Sequence, residues 1–184
     1  MKILAHERKT PRLSVHLVAI TSLAAASLAQ AAEYDVAYSM TVISDESYGY
    51  LVKDGDYDEA IDKIANRSMR RAGSFEAQTN LCVAYTKSGD LENAQVACNN
   101  AVDEIQKRAE RPLNRHSTPE HYVDGYRAFL ALAYANRGVL SAVRGNSAEA
   151  RADFLRASEL NARLPTPAEI NLARLERGSQ AGRP

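Results

Sequence analysis

Gly55-Asp56-Tyr57-Asp58-Glu59-Ala60 recurs 34 positions later as Gly89-Asp90-Leu91-Glu92-Asn93-Ala94. A third copy, Gly145-Asn146-Ser147-Ala148-Glu149-Ala150, follows 56 positions after the second. A period of 34 carried by helix-forming residues constrains the fold more than any other feature of this chain. It has room for two short helices, and one hairpin of that size cannot bury its own apolar face, so copies must stack. Such stacks bind through surfaces that vary freely between members, so the repeat speaks to architecture and leaves the ligand open.

The chain has 184 residues, enough for one domain, with 23 Lys and Arg balancing 23 Asp and Glu. Residues 1–31 hold Lys2, Arg8, Lys9 and Arg12 against Glu7 alone, which leaves 19 basic and 22 acidic residues beyond them, a net of −3. A mildly acidic body without a basic run argues against nucleic acid or anionic membrane as the main partner.

Residues 1–31 read as a secretory signal: a basic start, an apolar stretch over 18–29, then the small-x-small pattern Ala29-Gln30-Ala31. The apolar stretch has 12 residues, whereas a membrane-crossing helix needs roughly 20. A transmembrane anchor or a buried N-terminal helix is the alternative. Cleavage near Ala31 would send the protein to the periplasm or outside the cell, with no membrane insertion after signal removal. The expected organisation is a signal over 1–31, an extended leader over 32–42, a helical domain over 43–177 and a flexible tail over 178–184.

The leader earns its description from alternation, with Tyr34, Val36, Tyr38, Met40 and Val42 on one side of an extended segment. It has no second strand-like run to pair with, so it is expected to pack along the first helix. Beyond it the spacing turns helical. Ala94, Ala97, Cys98, Ala101, Val102 and Ile105 share one face of a helix of about 18 residues. The extra 22 residues between the second and third copies divide into a polar loop around Pro112 and an N-terminal extension of the next helix, starting at Thr118-Pro119-Glu120. Thr166-Pro167-Ala168-Glu169 opens a last helix, expected to end at Gly178 and to cap the stack. A smaller echo runs through the chain as Asn80-Leu81-Cys82, Asn136-Arg137-Gly138 and Asn171-Leu172-Ala173.

These residues resemble the tetratricopeptide repeat family, in the form of an exported bacterial-type member. In a frame counted from Phe75, Leu81, Cys82, Tyr85, Gly89, Ala94 and Ala101 match the family's pattern, with Cys98 where Phe is usual. Counted from Ala131, Tyr134, Gly138, Gly145, Ala150, Phe154 and Ala157 match, with Ser141 in place of Tyr. Counted from Thr41, Gly55, Ala60 and Ile64 match, but Tyr48 and Arg67 stand at small-residue positions. The resemblance implies an all-α fold: a right-handed α-solenoid of about three helical hairpins plus a C-terminal capping helix.

In that frame Cys82 and Cys98 occupy positions 8 and 24, which face each other across a hairpin turning near position 16. An oxidising compartment would join them in a structural disulfide. Two small buried hydrophobes would suit the same places. His116 and His121 flank a proline at a spacing unlike a helical metal pair, and solvated loop histidines are the plainer reading. No nucleophile triad, phosphate loop or standout carboxylate pair is legible, so no enzyme activity, cofactor or metal is expected.

The resemblance further implies a concave groove lined by Asn80, Val83, Tyr126, Leu132, Asn136, Val139 and Val143. Its apolar row suits either a peptide from an unidentified protein partner or the chain's own leader. Asp45, Gly49, Leu132 and Asn136 stand where the family's chaperone-tail clamp needs other residues and only Asn80 fits it, which disfavours that class of partner. The expected function is a non-catalytic interaction module of the cell envelope that binds a peptide segment. The alternative is a self-assembling structural component of an envelope complex.

Overall fold

A computed structural model describes residues 38–66, 72–113, 120–160 and 167–181. Among them are seven helices and no strand: α1 (Gly49–Asp54), α2 (Tyr57–Ala65), α3 (Phe75–Ser88), α4 (Leu91–Leu113), α5 (Glu120–Val143), α6 (Ser147–Glu159) and α7 (Ala168–Ala181). The expected signal segment, residues 32–37 of the leader, Arg67, His116 and Thr166 lie outside the described residues.

The repeated glycines punctuate the chain. Gly55, Gly89 and Gly145 take φ values of 93°, 85° and 81°, the left-handed conformation that ends a helix without a Cβ penalty. At the other end of α3 the Ser74 hydroxyl accepts a hydrogen bond from the Ala77 N–H at 3.2 Å. Each helix packs on its neighbours in the chain, and α3 also touches α5, as α5 touches α7. Small residues line these contacts, with Ala94, Ala101, Ala150 and Ala157 all buried. A Cβ on Gly138 would lie 2.7 Å from the Phe154 ring, so α5 and α6 approach closely only because that atom is missing.

Cys82 and Cys98 form a disulfide between α3 and α4, with Cα atoms 4.7 Å apart. The pair has counterparts in register, since Gly138 faces Phe154 on the next hairpin at the same separation of 16 residues. One space is thus filled by a bridge in one hairpin and by an aromatic ring against a bare backbone in the other.

Three expectations need correction. The first copy of the frame, counted from Thr41, does not begin as a helix. Residues 41–43 are extended, Ser47 and Tyr48 have φ of 48° and 58°, and regular helix starts only at Gly49, not at 43. The cause is tertiary: Ile43 is held by the neighbouring helix, as described below. The last helix runs through Gly178 to Ala181, so the boundary at 178 is too early. A Cβ at Gly178 would meet open space, and helix interiors tolerate glycine at about 1 kcal/mol. The helix starting at Leu91 has 23 residues rather than about 18.

Candidate functional site: an asparagine-lined groove

The first helices of successive hairpins, α3, α5 and α7, present Asn80, Asn136 and Asn171. All three side chains are buried, at 0%, 1% and 0% exposure. A carboxamide removed from water needs partners for both its acceptor and its donor, and leaving them unmade costs about 1–3 kcal/mol. No helix backbone supplies them here. The chain's own leader does.

Each asparagine grips one leader residue twice. The Thr41 N–H donates to Asn136 Oδ1 at 2.8 Å, and Asn136 Nδ2 donates back to the Thr41 carbonyl at 2.8 Å. Ser39 makes the same pair with Asn171, at 3.0 and 2.7 Å. Ile43 makes it with Asn80, at 3.0 and 3.1 Å. Asn80 Nδ2 also reaches the Glu46 and Ser47 carbonyls at 2.9 and 3.4 Å, which pins the turn into α1. Every second residue of an extended chain turns its N–H and C=O to the same side, so a row of carboxamides can read it at two-residue intervals.

The spacing has a geometric reason. Two extended residues advance about 6.8 Å, whereas packed helix axes sit about 8–10 Å apart. The length of the carboxamide side chains closes the difference. The leader crosses from α7 to α5 to α3 as its numbering rises, opposite to the order of the helices.

The remaining leader side chains enter apolar pockets. Tyr38 and Met40 pack against Val139, Ala142 and Phe154, and the Tyr38 ring stacks on Phe154 with centroids 6.4 Å apart. Met40 and Val42 pack against the cluster of Val83, Ala84 and Leu51. Ile43 lies against a further cluster containing Phe75, Ala131 and Tyr134. Gly49 completes the fit. A Cβ there would collide with the Ile43 carbonyl oxygen and come within 2.7 Å of Asn80 Nδ2, so glycine alone admits the leader at that crossing.

Of the expected groove residues, the structure brings Asn80, Val83, Asn136 and Val139 together around the leader. Val143 packs half-buried beside Val139. Leu132 and Tyr126 pack half-buried on the cluster that Ile43 also touches. The leader does not lie along the first helix alone, because it spans three. The expected set omits Asn171 and Gly49. The triple asparagine echo was the available signal for Asn171, since it already marked the last helix as a first helix without a partner.

None of the ion pairs among the described residues includes a leader residue. Arg137 is clamped to Asp153 by two bonds of 2.8 Å, and that hydrogen-bonded carboxylate raises its pKa above the usual value despite burial. Burial pushes the Glu76 carboxyl up, but Arg108, 2.9 Å away, together with hydrogen bonds from the Glu76 backbone and Ser74, outweighs it and holds the carboxyl below its usual 4.5. The asparagine contacts with the leader are neutral, and one charged group, the Arg174 guanidinium, donates to the Ser39 hydroxyl at 3.3 Å. No group of three or more potential metal ligands occurs among the described residues, and no described helix is long and apolar enough to cross a membrane. Comparison with family models, curated proteins and solved structures finds no match to this chain.

Proposed function

We propose that this chain is an exported, non-catalytic interaction module of tetratricopeptide type, with three hairpins in a right-handed stack, α7 as the cap, and a groove that holds a protein segment in extended form. The observation that carries this reading is the triple asparagine contact to the backbone of residues 39, 41 and 43. Backbone contacts of this kind supply affinity with little sequence demand, while pockets for alternate side chains add selectivity. The Cys82–Cys98 bridge supports an oxidising location, which fits the signal-like start of the chain. Crosslinking in intact cells followed by purification names the partner. Replacing Val139 and Val143 by Asp puts two charges under the bound segment and should release whatever occupies it. A partner retained undiminished by that variant contradicts the groove reading.

A second reading, self-assembly within an envelope complex, gains support from the same contacts, because a groove that fits the chain's own leader also fits the leader of another copy.

A further inference from the structure

We propose that the groove of one copy accepts residues 38–43 of a second copy, by exchange of the leader about the turn at 44–48. This rests on the groove reading above. The fit of ligand to groove is already visible, since the segment and the site that holds it belong to one sequence. What remains is whether the pairing is made within a chain or between chains.

The asparagine bonds to residues 39, 41 and 43 do not require the same chain. The asparagine partners lie 37, 95 and 132 residues from the leader residues they hold, so each bond forms identically in trans. The leader is joined to the helices only through the turn that follows it, at the α1 edge of the stack. That turn carries two consecutive non-glycine residues in the left-handed conformation, Ser47 and Tyr48. Each costs about a fivefold to thirtyfold factor in population relative to an ordinary backbone state. Opening the turn relieves that cost and gives up the Asn80 bonds to the Glu46 and Ser47 carbonyls, while exchange keeps the paired asparagine bonds to residues 39, 41 and 43. Five residues in extended form span up to about 17 Å, enough for the leader to leave one α1 edge and enter a groove facing it. Two copies exchanging leaders reciprocally form a closed pair, because the same surface serves on both sides.

The test uses Ser39 and Arg174, whose Oγ and Nη1 lie 3.3 Å apart at the α7 end of the groove. Only two cysteines occur in the sequence and they are bonded to each other, so an added thiol is the only free one. The full mature chain is prepared as Ser39→Cys, as Arg174→Cys, and as the double variant. A short bismaleimide should link the double variant within one chain at high dilution, which tests the groove itself. Ser39→Cys and Arg174→Cys copies, co-refolded at high concentration and then treated, should give a covalent pair. Adding Ser47→Gly to both copies relaxes the closed turn and should lower the yield of pairs at least about fivefold. An internal link in the double variant without any linked pair from the mixture overturns exchange and leaves the groove reading standing. A pair whose yield ignores Ser47→Gly reports random collision and also overturns it. Absence of the internal link removes both.

Discussion

Asparagine does in this protein what a neighbouring strand does in a sheet. One carboxamide offers an acceptor and a donor at the spacing of a residue's own N–H and C=O, and it is neutral, so burying it demands no counter-charge. Asn80, Asn136 and Asn171 use that equivalence three times over. Glycine is the complementary residue, because the leader's backbone passes where the side chain of position 49 would stand. Gly49→Ala is expected to destabilise the protein by about 1–3 kcal/mol through overpacking, with loosened exchange protection at Ile43, as measured by denaturant unfolding and amide exchange. An unchanged midpoint would show that the Ile43 carbonyl can move aside. Part of this was legible in advance. Asn80 and Asn136 were expected in the groove from their place in the repeat, whereas Asn171 was overlooked because its helix was assigned only the role of a cap. Nothing in the letters Ser47 and Tyr48 marks a left-handed turn, since neither residue favours one without help. That help comes from Asn80, 33 residues away.

The repeated frame worked well where two complete helices exist to obey it. Gly89 and Gly145 end α3 and α5 where it placed them, and positions 8 and 24 face each other as Cys82 with Cys98 and as Gly138 with Phe154. It failed for the first helix of the first copy, where helix begins only at Gly49 and the preceding residues are claimed by the groove. The alternating run ending at Val42 overlapped the frame's start at Thr41, and tertiary contacts decided for the extended form. The two facing pairs invite a comparison. Replacing Cys82 and Cys98 together by Ala should lower the unfolding free energy by about 3 kcal/mol, the value for closing a loop of this size, plus the effect of the space left behind. Loss of much less than that, in calorimetry or denaturant titration, would mean that the bridge merely joins helices already fixed by packing.

At the scale of the whole molecule, a leader laid across three helices ties α7 to α5 and α3, through Ser39, Thr41 and Ile43. Because its asparagine bonds are neutral and the one charged donor, Arg174, meets a neutral hydroxyl, seating should respond only weakly to salt, while the acid response comes from elsewhere. Glu76 is held below 4.5 by Arg108 once burial's opposite push is overcome. Its contribution is therefore complete above pH 4.5 and is lost as pH falls below it. Both side chains of that pair are about 30% exposed, so the loss should stay within about 1 kcal/mol. Glu76→Gln should flatten the acid limb of a stability curve, and a limb unaltered in that variant would assign it to other carboxylates. The central claim concerns the leader, and amide hydrogen exchange, read residue by residue, tests it most directly. Ser39, Thr41 and Ile43 donate to asparagines, whereas the Met40 and Val42 N–H groups bond to nothing among the described residues. The account predicts a two-residue rhythm, slow at 39, 41 and 43 and fast at 40 and 42, with the protection of Thr41 lost in Asn136→Ala. Uniformly fast exchange across 38–43, or a rhythm that survives Asn136→Ala, would contradict it.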